Sequence, residues 1–235
     1  IALAAHLLLR EDPEATMVVL PADHVVQDGD ALCASIELAA RAAESGLGLV
    51  TLGITPTRPE TEYGYIRAAR PSSIDGVLKV DSFEEKPDAE TARDYLDTGR
   101  YYWNSGMFIW RADRFMAETT RWLPDIAQAV TGVTAGPGES DFPSQLARYY
   151  DSVPRVSVDY GLMEKARDVL VVPSDFGWDD VGSWSAFLRI WGRDPSGNAV
   201  RGDAVVLDSS DCVVCSEAGT VAVLGLSDVV VVRTS

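Results

Sequence analysis

Two aspartates, Asp23 and Asp180, stand where acids of an α/β protein do chemistry. Asp23 follows the apolar run at 18–21, and Asp180 ends the segment Phe176-Gly177-Trp178-Asp179-Asp180. Ligands of open α/β sheets bind beyond the carboxyl ends of the strands, in loops of this kind. Two carboxylates brought together from distant loops would hold Mg²⁺ through oxygen and leave coordination positions for phosphates. The plainer reading of a single loop aspartate is a helix cap or a solvated acid. His24, next to Asp23, reads as a hydrogen-bonding loop residue rather than an acid or base. Cys212 and Cys215 form a C-x-x-C in an apolar, strand-like stretch with no second pair and no histidine nearby, which favours core packing over zinc or redox chemistry.

The elements that must carry these residues alternate. An amphipathic pattern over 1–10 predicts a helix, 17–20 a buried parallel strand closed by Pro21, 30–44 a helix and 47–52 a second buried strand. After a Pro- and Thr-rich loop at 55–62, residues 65–68 and 77–85 read as strands of a more exposed insertion. A helix at 88–96 stopped by Gly99, a strand at 103–110, helices over 111–129 (broken at Pro124) and 145–150, a helix at 158–166, a strand at 169–172 and a helix at 182–190 complete the pattern. Asn104, Ser105 and Gly106 are polar or small at the start of an otherwise apolar strand, which calls for a physical reason. From Gly197 onward, short apolar runs at 204–207, 212–215, 220–224 and 229–232 alternate with turns, as in a small sheet or a few β-helix coils. The fold class expected is α/β, a Rossmann-like domain with a mixed central sheet over 1–192, followed by a β-rich, β-helix-like segment over 193–235.

Composition sets limits. With 235 residues, 46% of them hydrophobic, the chain can bury a sizeable core without metals or disulfides. A formal net charge of -16 repels nucleic acid and anionic membranes, so neither is expected as a partner. The apolar run at 229–232 is far below the roughly 20 residues that span a bilayer. Three sparse cysteines suit a reducing compartment, and a cytoplasmic location is expected.

Six stretches in order resemble the mannose-1-phosphate guanylyltransferases, within the wider family of sugar-nucleotide pyrophosphorylases. They are Leu20 with Pro21-Ala22-Asp23-His24; Thr61-Glu62-Tyr63-Gly64-Tyr65-Ile66; Phe83-Glu84-Glu85-Lys86-Pro87; Trp103-Asn104-Ser105-Gly106-Met107-Phe108; Ser157-Val158-Asp159-Tyr160 with Met163-Glu164-Lys165; and 178–184. The resemblance implies a metal held by Asp23 and Asp180. It also implies that Gly64 lets the backbone approach the sugar, Glu85 binds sugar hydroxyls, Asn104 adds a polar contact and Lys86 faces the sugar phosphate. Tyr63 and Asp159 join the substrate-binding set. These residue types suit the roles: a carboxylate and an amide take hydroxyls bidentately, whereas an ammonium serves a phosphate as a point charge. Tyr63, Tyr65, Trp103, Phe108, Trp178 and Trp184 read as core or pocket wall rather than a stacking platform, and Glu164 as a solvated face.

The reaction implied is transfer of GMP from GTP to mannose 1-phosphate, giving GDP-mannose and pyrophosphate, with Mg²⁺ as cofactor. Family members open with a glycine-rich loop that cradles the nucleotide phosphates, and these residues contain none; the chain therefore reads as a fragment, inactive by itself. The rival readings are a pyrophosphorylase using glucose 1-phosphate with UTP or dTTP, and a regulatory homologue without turnover. The β-rich tail adds self-association as an expectation.

Overall fold

Apolar residues at helical and strand spacings sort the chain into two compact units in the computed structural model, which describes residues 1–235. One unit comprises Ile1–Ala22 and Gln27–Phe176, the other Asp23–Val26 and Gly177–Ser235. The boundary expected at 192/193 lies inside the second unit. In chain order the elements are α1 (Ala2–Glu11), β1 (Thr16–Val19), β2 (Val25–Val26), α2 (Gly29–Glu44), β3 (Leu49–Ile54), β4 (Tyr65–Pro71), β5 (Leu78–Glu84), α3 (Ala89–Thr98), β6 (Tyr101–Arg111), α4 (Ala112–Trp122), α5 (Pro124–Val130), α6 (Phe142–Ser152) and β7 (Val169–Ser174). They continue with β8 (Trp178–Asp179), α7 (Phe187–Ile190), β9 (Ala199–Arg201), β10 (Ala204–Leu207), β11 (Val213–Ser216), β12 (Val221–Leu224) and β13 (Val230–Arg233).

The first unit is built on a six-stranded sheet of order β1-β6-β3-β7-β5-β4, and β4 also pairs with the start of β6. The sheet is mixed, as expected: β3 and β7 are parallel, while β6 runs antiparallel to β1, β3 and β4. Every residue of β3 is buried, Thr51 included, as expected of a strand covered on both faces. On α2 the buried residues are the small Ala39, Ala42 and Ala43, and Asp28 starts that helix by accepting the Ala31 N–H at 2.9 Å. Asp88 caps α3 in the same way, and Gly99, in the left-handed conformation, closes it. Trp110 stacks between Phe108 and Phe115, with centroids 5.2 and 4.7 Å away, in a core that also holds Leu49, Leu162 and Met163.

Four expectations are corrected. Strand β1 is not a buried parallel strand: it pairs only with β6, antiparallel, and at this edge Val18 stays 44% exposed. Strands β4 and β5 are more exposed, as expected, with no buried residue on β5, yet they are no insertion: they belong to the main sheet, and Tyr65 and Ile66 are wholly buried. The helix expected at 158–166 contracts to a single π-helical turn, Asp159–Met163. The one expected at 182–190 starts later, as a 3₁₀ turn at Trp184–Ala186 leading into α7, because Ser183 is extended.

In the second unit β2 and β8 form a short antiparallel pair. Beyond them, β10 pairs in parallel with β12, and β11 in parallel with both β9 and β13. Ser210 and Ser227, 17 residues apart, bridge successive coils at the same step as Ala204↔Val221 and Val213↔Val230. This is the β-helix-like segment read from the sequence. Cys212 is buried there against Val214 and Val223, and Cys215 is a free thiol on β11.

Candidate active site

Strand β6 supplies the scaffold for the first group of candidate residues. Its register against β3 shifts between Thr51 and Gly53, and Gly106 adopts a left-handed φ of 67°. That irregularity leaves backbone groups without ladder partners, and side chains take over. The buried Ser105 hydroxyl donates to the Leu52 carbonyl at 2.7 Å and accepts the Met107 N–H at 3.2 Å, while Thr51 Oγ1 donates to the Met107 carbonyl at 3.0 Å. The polar residues at 104–106 are thus the chemistry of a bulge, a feature that re-aims side chains beside active sites.

What the bulge aims is Asn104. Its Nδ2 donates to Asp159 Oδ1 at 2.8 Å, and its Oδ1 accepts the Gly106 N–H at 3.2 Å. The Asn104 N–H in turn donates to the Gly64 carbonyl at 2.8 Å, fixing the chain at Gly64. A Cβ at Gly64 would fall 2.7 Å from Glu85 Oε2, so the Glu85 carboxylate lies against the bare Cα. Gly64, Glu85, Asn104 and Asp159 are therefore gathered in one place. Burial pushes the Glu85 carboxyl above its ordinary range; Lys86 pulls it down, and Asp159 and Glu164 push it up. Asp159 sits at the start of the π-helical turn, an irregularity frequent at functional sites.

Lys86 is exposed beside Glu85, with a left-handed φ of 42°. Tyr63 is buried, edge-on to Trp103 with centroids 5.2 Å apart, so its ring is wall rather than platform. Tyr65, Phe108 and Trp178 are likewise buried, whereas Trp184 is 46% exposed on its 3₁₀ turn and is no core residue. Glu164 is exposed, as expected.

The second group lies on and around the β2–β8 pair. Trp178 Nε1 donates to His24 Nδ1 at 3.0 Å, which puts the histidine proton on Nε2, 4.0 Å from Asp23 Oδ1. Burial lowers the His24 imidazole below its ordinary value, opposed by Asp23, Asp180 and Asp179, so all three acids surround this ring. The two adjacent aspartates differ. Asp179 is buried, takes Arg189 Nε and Nη2 at 2.8 Å and accepts the Val181 N–H at 2.9 Å. Asp180 commits only Oδ1, to the Gly182 N–H at 3.0 Å. Val181, directly after Asp180, is held at φ 54°, a strained position for a β-branched residue.

No group of three or more His, Cys, Asp or Glu side chains converges into an all-protein metal cage. Asp23 is 86% exposed, and Mg²⁺ needs no such cage: it takes one or two carboxylates and fills its remaining positions with water and phosphate oxygens.

Arg58, Glu60 and Arg189 were not singled out from the sequence. Arg58 and Glu60 lie in the Pro-rich loop ahead of Tyr63, where charged residues pass for solvated ones. An apolar cavity of about 350 Å³ lined by Phe115, Leu123, Ile126 and Tyr149 contains none of the candidate residues.

A nucleotidyl transferase family model matches residues 1–195, and a MannoseP isomerase/GMP-like β-helix domain model matches 202–235. Over its whole length the chain is 44% identical to the xanthan biosynthesis protein XanB of Xanthomonas campestris and 41% identical to the alginate biosynthesis protein AlgA of Pseudomonas aeruginosa, covering 49% of each. It is 41% identical to a mannose-1-phosphate guanylyltransferase of Salmonella montevideo, covering 50% of it. The chain spans about half the length of the curated relatives it matches. Among solved structures, one described as a mannose-1-phosphate geranyltransferase from Thermus thermophilus superposes with a TM-score of 0.85 at 38% identity, over 99% of this chain and 67% of that one. No helix is long and apolar enough to cross a membrane.

Proposed function

The chain belongs to the nucleotidyl transferase family, and from that premise we propose that it is the sugar-phosphate- and metal-binding portion of an enzyme that transfers GMP from GTP to mannose 1-phosphate. The observation that carries the reading is the gathering of Gly64, Glu85, Asn104 and Asp159, a bare backbone surface flanked by a carboxylate and an amide-carboxylate pair. Sugar hydroxyls both donate and accept, and this set offers both kinds of partner.

In the reaction, an oxygen of mannose 1-phosphate attacks the α-phosphorus of GTP; the new P–O bond forms as the bond to pyrophosphate breaks. Glu85 and Asn104 orient the sugar, and the Lys86 ammonium offsets the charge of its phosphate. Asp23 and Asp180 would hold Mg²⁺, which when bound supplies charge stabilisation for the phosphates. Phosphoryl transfer between such substrates relies on positioning and charge neutralisation, so His24 is assigned no proton to move. The reading includes a cytoplasmic location, supported by the sparse cysteines, and no turnover by these 235 residues alone, which hold no glycine-rich phosphate loop.

The test is Asp180→Asn in the full-length protein. Loss of one of two metal-holding carboxylates removes several kcal/mol of charge stabilisation, so turnover should fall about a hundredfold or more. Near-normal GDP-mannose formation by the variant would exclude the metal role.

A further inference from the structure

We propose that Arg58 is a positioning residue for the sugar site: acting through Tyr63 and Trp103, it holds the chain at Gly64 against the Glu85 carboxylate. The inference deepens the function proposed above and rests on it for the identity of the sugar phosphate.

The Arg58 guanidinium is half-buried and makes three different contacts. Nε donates to Glu60 Oε2 at 3.1 Å, Nη2 donates to the Tyr63 hydroxyl at 3.2 Å, and Cζ lies 4.8 Å from the centre of the Trp103 ring. Trp103 is 2% exposed and register-paired with both Ile54 and Tyr65, so it is part of the rigid sheet. Glu60 completes a knot. Its Oε1 accepts the Thr61 N–H at 3.0 Å, its own N–H donates to the Tyr65 hydroxyl at 3.0 Å, and that hydroxyl donates back to the Glu60 carbonyl at 2.8 Å.

A continuous path results: sheet residues Trp103 and Tyr65 hold Arg58 and Glu60, Arg58 holds the Tyr63 hydroxyl, and Tyr63 precedes Gly64. Pro56 and Pro59 remove two N–H donors from this loop, so side chains rather than a backbone ladder must fix it. Only a planar guanidinium can lie on an indole while its edge donates to a carboxylate and a phenol; a lysine ammonium carries the charge without the fork. The selectivity of the arrangement for arginine is what makes it testable.

The experiment compares the wild-type chain with Arg58→Lys and, as a second variant, Glu60→Gln. Amide hydrogen exchange over 60–66 is measured without ligand, and mannose 1-phosphate affinity by calorimetric titration. In Arg58→Lys, exchange at 60–64 should accelerate about tenfold and the dissociation constant for mannose 1-phosphate rise about tenfold, while β3 and β7 amides keep their protection. Glu60→Gln, which keeps the stack on Trp103, should show smaller changes in the same direction. In the full-length enzyme, Arg58→Lys should raise KM for mannose 1-phosphate by a similar factor and leave kcat and KM for GTP unchanged. Wild-type exchange in Arg58→Lys overturns the inference. So does faster exchange with unchanged sugar-phosphate affinity, which makes Arg58 a loop staple only. If the wild-type chain itself binds no mannose 1-phosphate, the proposed function fails, and the exchange result alone decides whether Arg58 positions Gly64.

Discussion

Gly64 is where a single methyl group separates a working site from a displaced one. Its φ is not left-handed, so alanine brings no backbone strain, yet the new Cβ would meet Glu85 Oε2 at 2.7 Å. The atom that must give way is the end of a flexible side chain. Gly64→Ala should therefore leave stability within about 1 kcal/mol of the wild type while moving the Glu85 carboxylate and weakening mannose 1-phosphate about tenfold or more. Thermal melting and calorimetric titration of the variant check both halves; undiminished affinity would remove Glu85 from the sugar site. Backbone strain falls beside two of the candidate carboxylates. Five non-glycine residues have positive φ: three are aspartates in the β-helix-like turns, and the other two, Lys86 and Val181, each follow a candidate carboxylate, Glu85 and Asp180. Short words of sequence made Gly64, Glu85, Asn104 and Asp180 legible. The division of labour between Asp179 and Asp180 was not, because two adjacent aspartates look alike until Arg189 is seen to neutralise one of them.

Elements explain which readings held and which failed. The wholly buried β3 and the capped α2 and α3 carry strong local signals and formed close to where they were expected. Strand β1 misled because a short apolar run reads alike whether parallel or antiparallel, central or at an edge; only pairing with β6 decides. Strands β4 and β5 read as an insertion because the Pro-rich loop before them resembles a boundary, whereas the Tyr65 hydroxyl of β4 bonds the Glu60 backbone and ties the loop back to the sheet. The bulge in β6 was visible only as polar residues out of place. Ser105 is its linchpin: 1% exposed, with its hydroxyl bonded to one backbone carbonyl and one backbone N–H. Ser105→Ala should cost about 1 to 3 kcal/mol by leaving those groups unpaired, and lower the melting midpoint by about 2 to 4 °C per kcal/mol. A melt indistinguishable from the wild type would mean the bulge is held by other means.

At the scale of the molecule, two compact units divide the proposed roles: the sheet unit carries Gly64, Glu85, Asn104 and Asp159, and the unit with the β-helix-like coils carries Asp23 and Asp180. A formal net charge of -16 makes any phosphate an unwelcome ligand unless positive charge is placed locally, which Lys86 and a divalent cation would supply. Selective, Mg²⁺-assisted recognition of one sugar phosphate is what these groups are proposed to do. The most direct test is thermal unfolding of this chain with rising mannose 1-phosphate, glucose 1-phosphate or inorganic phosphate, each with and without Mg²⁺. A ligand bound only by the folded state at a hundred times its Kd adds about 2.7 kcal/mol, a shift of several degrees. Mannose 1-phosphate with Mg²⁺ should raise the midpoint most, and glucose 1-phosphate and phosphate should raise it less. A cooperative melt that no sugar phosphate moves would contradict the proposed recognition.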